Sequence, residues 1–78
     1  MIVSVSQEDI RKGIRRSAIA CPIANSLRRT GFKFKGVDSQ SVFLQRGKVV
    51  PLPHNARHFI RNFDLALPAK PFSFDLPI

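Results

Sequence analysis

The sequence reads as a small α+β domain. Three observations say so. Short stretches at 2–5, 32–35 and 72–76 alternate apolar and polar residues with the period of a strand. Two segments, 22–30 and 54–66, carry apolar residues at helical spacing. Proline and glycine punctuate the chain between them. With 78 residues there is room for one domain, 1–78, and one core. The expected order is β-α-α-β-β-β-α-β, a small antiparallel or mixed sheet packed against helices.

Val3 and Val5 give the first strand its buried face. Ser6-Gln7-Glu8-Asp9 then has the form of a capping box. The serine oxygen accepts from the first helical turn, and Asp9 reaches back in the place of the usual Glu or Gln. Glu8 and Asp9 also suit the positive end of the helix dipole. This predicts a helix over about 7–13, with Ile10 and Ile14 on one face and Gly13 as its C-cap. Residues 14–20 read either as a turn or as an extension of that helix. Cys21-Pro22 opens a second helix over 22–30, because proline is favoured at the first helical position. Ile23, Ala24 and Leu27 form its apolar stripe, Arg28 and Arg29 suit its negative end, and Gly31 closes it.

Phe32-Lys33-Phe34-Lys35 predicts a strand with both phenylalanines inward and both lysines outward, followed by a turn at 36–39. Stretches 41–45 and 48–52 flank Arg46-Gly47 and predict a hairpin. In the third helix Ala56, Phe59, Ile60 and Phe63 recur at i, i+3, i+4 and i+7. Pro68 and Pro71 enclose a linker. The closing strand 72–76 is expected to pair with the first. All seven phenylalanines fit core stripes on this reading.

A Gln7-Glu8-Asp9-Ile10 helix start, Cys21-Pro22-Ile23-Ala24, Phe59-Ile60-Arg61-Asn62-Phe63-Asp64 and the closing Pro71-Phe72-Ser73-Phe74-Asp75-Leu76 stand in this order along nearly the whole chain. In these motifs the sequence resembles a group of small, mostly uncharacterised bacteriophage and mobile-element proteins. The resemblance implies a compact α+β fold and a phage or prophage setting, and no activity. Arg11-Lys12 and Arg15-Arg16 make this chain more basic around the first helix than the group's pattern.

Thirteen Lys and Arg stand against five Asp and Glu, a net charge of +8. A surface this basic attracts polyanions. The charge is uneven: residues 1–37 hold eight cations against two acids, a net +6, and residues 38–78 hold five against three, a net +2. The expected contact residues are therefore Arg11, Lys12, Arg15, Arg16, Arg28, Arg29, Lys33 and Lys35. Nucleic acid, held mainly by its phosphates, is the leading partner. The alternative is an inhibitor or adaptor on an acidic surface of a host protein, and a virion or assembly component is a third reading. With no phenylalanine left outside the core and no Tyr or Trp, base stacking is not expected.

Nothing in the pattern supports an enzyme. The acids show no acid–base spacing, and there is no phosphate loop or nucleophile elbow. Cys21 reads as a buried spacer, since a reactive thiol needs a base that local spacing does not bring to it. His54 and His58 have the i,i+4 spacing of two metal ligands, but zinc takes three or four, so they read as solvated beside Arg57 and Arg61. Asp64 is expected to compensate Arg61. No metal or cofactor is expected. No apolar run reaches the ~18 residues of a membrane span. The N-terminal stretch lacks the basic start of a secretory signal. A single cysteine points to a reduced compartment, the cytoplasm.

Overall fold

A computed structural model describes residues 1–78. The elements are β1 (Ile2–Val5), α1 (Gln7–Arg11), α2 (Pro22–Arg29), β2 (Gly36–Val37), β3 (Ser41–Phe43), β4 (Val49–Pro51), α3 (His54–Asp64) and β5 (Phe72–Asp75). The order matches the expected one. The strands form two antiparallel sheets, β1-β5 and β2-β3-β4. No helix is long and apolar enough to cross a membrane.

The two chain ends pair as expected, with Val3 opposite Phe74 and Ser4 opposite Ser73. Two strands alone are marginal, and side chains close both of their outer edges at one rung. Arg29 donates to the Ser4 carbonyl at 2.7 Å and Asn55 to the Ser73 carbonyl at 3.1 Å. The inner faces, Val3, Val5 and Phe74, meet Ile23, Ala24 and Leu27 of α2 in one buried cluster. Ala56 and Ile60 of α3 and Val37, Val42 and Val50 of the second sheet complete it. Phe59 stacks on Phe72 with ring centroids 4.4 Å apart.

The capping box of α1 is present in both directions: Asp9 N donates to Ser6 Oγ at 3.1 Å and Ser6 N to Asp9 Oδ2 at 2.9 Å. The helix is shorter than expected, with Lys12 as its C-cap. Gly13 follows that cap and its amide closes on the Ile10 carbonyl at 3.0 Å, though without a left-handed backbone, and it has a second role besides. A Cβ there would lie 2.7 and 2.8 Å from the Pro22 ring and 3.0 Å from Phe63. Its missing side chain is what lets the chain leaving α1 pass against the start of α2 and the side of α3. Ile14 is accordingly outside the helix and exposed, and its amide bonds the Ala20 carbonyl at 2.8 Å, making 14–20 a loop. The like-charge i,i+4 pairs Arg11/Arg15 and Lys12/Arg16, which a helix running on past Gly13 would set up, do not form.

The expected strand at 32–35 is displaced to Gly36–Val37. The end of α2 explains this. Gly31 takes φ +82°, the Gly31 amide bonds the Arg28 carbonyl, and the Phe32 amide bonds the Leu27 carbonyl, which is a Schellman closure. Phe32 is thus committed to the helix end, and ladder bonding starts only where the Lys35 amide meets the Phe43 carbonyl at 2.7 Å. The alternation itself survives: Phe32 and Phe34 are half-buried and both lysines exposed. The expected turn shrinks to 38–40, held by the Asp38 carboxylate, which accepts from the Gln40 and Ser41 amides at 2.8 and 2.7 Å.

The β3–β4 hairpin turns where expected. Arg46 shares the left-handed conformation with Gly47, at φ 61° and 73°. Helix α3 stops at Asp64, short of 66, because Ala66 turns left-handed at φ 64° and the amides of Ala66 and Leu67 close on Phe63 and Asn62.

Candidate functional site

All five carboxylates are engaged. Glu8 pairs with Arg11, which binds it through two guanidinium nitrogens, and with Lys12 at 3.9 Å. The Arg11 hydrogen bond holds the Glu8 carboxyl below its usual range. Asp9 is buried and meets the Arg29 guanidinium at 2.8 and 3.3 Å. Burial alone would raise the Asp9 carboxyl, but the hydrogen bonds from Arg29 and Ser6 outweigh it and hold it low. Asp38 holds the turn described above. Asp64 accepts from the Arg16 amide at 2.9 Å. Asp75 pairs with the Met1 amino group at 2.9 Å.

The eight expected contact residues therefore divide. Arg11, Lys12 and Arg29 face carboxylates, and Arg29 also bonds strand β1, so it is part of the fold as much as of the surface. Arg28 is held by Asn25 at 3.2 Å and by the Ile19 carbonyl. The side chains of Arg15, Arg16, Lys33 and Lys35 have no carboxylate partner. Neither have those of Arg46, Lys48, Arg57, Arg61 and Lys70 in the second half. The expected compensation of Arg61 by Asp64 does not occur, since Asp64 turns to the 14–20 loop instead.

The structure brings together a group that lies outside the eight. A cleft of about 420 Å³ opens between the outer face of α3 and the turn at 38–40. It is lined by Ser39, Gln40, His54, Arg57, His58 and Arg61, with no carboxylate and no apolar side chain. The four helical residues fall at i, i+3, i+4 and i+7, the polar complement of the stripe that buries Ala56 and Ile60. The turn is held against the entry to α3 by the Leu52 amide, which bonds the Gln40 carbonyl at 2.8 Å. The His54 and His58 rings lie edge to face with centroids 6.2 Å apart, and His58 Nε2 is 3.2 Å from the Asn62 amide nitrogen. A smaller hollow adjoins the cleft through Ser39 and carries Arg16 on its wall together with Asp38 and Asp64. Chemically, the cleft offers two guanidiniums, two imidazoles, a hydroxyl and an amide, which is a donor set for phosphate oxygens.

Cys21 is buried and caps α2: its Sγ accepts from the Ala24 amide at 3.4 Å. Burial pushes its thiol up, and the nearby amides only partly offset this, so the helix terminus does not activate it. No group of three or more His, Cys, Asp or Glu side chains is placed to hold a metal ion. No protein-family model, curated protein or solved structure matches the chain.

Proposed function

We propose that this protein binds nucleic acid, mainly through phosphates, and works as a binding module without catalysis. One observation carries the reading: a cleft lined by Arg57, Arg61, His54 and His58 without a carboxylate, in a chain whose every acid is already bonded. The cleft wall itself sets no carboxylate against an entering anion; Asp38 and Asp64 stand in the adjoining hollow, each bonded to backbone amides. Arg15, Arg16, Lys33 and Lys35 extend the contact surface, and Arg16 adjoins the cleft. The setting proposed is that of a phage or mobile element, on the motif resemblance, and the compartment is the host cytoplasm, on the lone buried cysteine.

The test is a salt titration of binding to a labelled oligonucleotide, read by fluorescence anisotropy. Each neutralised phosphate contributes roughly −0.9 to the log–log slope on duplex DNA, so four to six contacts give a slope of about −4 to −5. Arg57→Gln with Arg61→Gln should weaken binding and flatten the slope by about 2. A flat salt dependence, or no binding at low salt, would remove nucleic acid and leave an acidic host protein as the partner to seek.

A further inference from the structure

One phenylalanine lies on the sheet face turned away from the core. Phe43 on β3 is 37 % exposed, and its register partner on β4, Val49, is 51 % exposed. One residue along each strand, Val42 and Val50 point into the core instead. The other six phenylalanines are half-buried or buried. The sheet thus presents one aromatic ring on its outer face, beside a β-branched neighbour.

Cations lie along the chain on either side of this rung, although Lys48, opposite Leu44, falls on the other face of the hairpin. The Lys35 amide bonds the Phe43 carbonyl, and the Lys48 carbonyl accepts from the Leu44 amide at 2.8 Å, so both lysines belong to chain segments flanking Phe43. Arg46 occupies the hairpin tip in a left-handed conformation. Lys33 stands two residues before Lys35 and is exposed with it. None of the four has a carboxylate partner. The one acid between residues 30 and 63 is Asp38, whose carboxylate is bound by two amides at the opposite end of β3 from the hairpin tip.

We infer that this end of the three-stranded sheet is a platform for single-stranded nucleic acid. An unpaired base stacks on the Phe43 ring with Val49 beside it, and the flanking phosphates lie against Lys35 and Arg46. The inference rests on the nucleic-acid reading and adds the strand state of the ligand. Charge alone takes duplex and single strand alike. A ring on a sheet face can stack only on a base released from its own stack and pair, and base–aromatic stacking tolerates any sequence.

The experiment compares a labelled thymidine oligonucleotide of about ten residues with a duplex of the same length, order-of-magnitude lengths suited to a single-strand site. Phe43→Leu keeps an apolar side chain on the strand and removes the ring. It should weaken single-strand binding about 5- to 150-fold, the range of one lost stacking contact, and leave duplex binding and the salt slope unchanged. Phe43→Tyr should bind single strands as the wild type does. Lys35→Gln should flatten the single-strand slope by roughly 0.7. Thermal melts of each variant separate lost folding from lost binding. Equal loss on single strand and duplex, or no loss with Phe43→Leu in a folded protein, overturns the platform. So does a concentration-dependent dimer that Phe43→Leu makes monomeric, which would give the face to a second copy of the chain. If the wild type binds neither ligand at low salt, the nucleic-acid reading itself fails. If it binds both and Phe43→Leu changes nothing, only the platform fails.

Discussion

Replacing Asp9 with alanine tests whether the acids of this protein serve the fold. The carboxylate is buried, with its side chain 6 % exposed, and accepts three hydrogen bonds: one from the Ser6 amide and two from the Arg29 guanidinium. A hydrogen bond to a charged group contributes about 1.5–3 kcal/mol, and breaking a fully buried ion pair costs about 3–5 kcal/mol. Arg29 is half exposed and keeps its bond to the Ser4 carbonyl, so water takes up part of the loss. The expected cost of Asp9→Ala is therefore about 2–3 kcal/mol. A 78-residue domain has roughly 4–12 kcal/mol of stability in all. At about 4–8 °C per kcal/mol, the Tm should fall by about 10–20 °C. Asp9→Asn keeps one oxygen for the Ser6 amide and should lose about half as much. Because the folded carboxyl is held below its unfolded value, its contribution is fully present above the unfolded carboxylate range and is lost as pH falls through the folded value. Circular-dichroism melts from pH 7 down to pH 2 would therefore show the wild type converging on Asp9→Asn at the acid end. A Tm for Asp9→Ala within about 2 °C of the wild type would refute the reasoning, since by the same conversion it corresponds to well under 1 kcal/mol.

Substitutions at two further positions test the packing around α2. Gly13→Ala forces a Cβ to within 2.7 Å of the buried Pro22 ring. It should cost about 1–3 kcal/mol as overpacking, read by the same melts, and an unchanged Tm would mean that the chain shifts freely there. Cys21→Ser should stay within about 1 kcal/mol of the wild type, because the serine oxygen is a better cap for the Ala24 amide than the thiol it replaces. Cys21→Ala, which loses the cap and leaves a gap, should cost more, about 1–2 kcal/mol. Native-state labelling of Cys21 by a thiol reagent at neutral pH should be slow. Rapid labelling would contradict the buried, unactivated thiol.

The elements legible in the sequence were those whose bonds are local. The capping box at Ser6 and Asp9, the proline start of α2, the glycine at its end and the Arg46-Gly47 turn are all set within a few residues, and all are in place. The pairing of β1 with β5 could also be read, since both strands are one-sided and lie at the two ends of one short chain. What was not legible depends on contacts between distant segments. Gly13 closes α1 as its neighbours suggest, but the close approach of Pro22 and Phe63 that also requires a glycine there is visible only in the fold. The Phe32–Lys35 alternation is a true burial pattern without a ladder, because the Schellman closure claims the Phe32 amide first. Phe43 reads as one more core aromatic until its register against Val49 sets it on the outer face.

The same distinction applies to which cations are open to an anion. By sequence the first half is the basic half, at net +6 against +2. Formal charge counts every cation equally, whereas a polyanion meets only those not already neutralised. Of the eight cations in residues 1–37, three face carboxylates, which leaves five; none of the five in residues 38–78 does. The two halves thus hold equal numbers of cations without a carboxylate partner, five each, while their net charges stay at +6 and +2, because Glu8 is shared by two cations and Asp38 and Asp64 are bound by uncharged amides. The helical stripe His54, Arg57, His58 and Arg61 carried a signal that could have been seen, four nitrogen-bearing side chains on one face with no acid among them. Its weight was missed because Asp64 lies three residues from Arg61 in sequence, and because the turn that makes the stripe into a cleft is supplied by residues 39–40. In the fold Asp64 is drawn away by the Arg16 amide. A carboxylate used to cap the 14–20 loop is unavailable to α3, so the bond that orders one end of the domain also leaves Arg61 open to a ligand at the other side of Ser39. Asp64→Asn should accordingly leave the salt slope of nucleic-acid binding as it is, because the charge removed is not the one screening Arg61. A steeper slope by about one phosphate contact, roughly −0.9, would show that Asp64 does compensate Arg61 in solution.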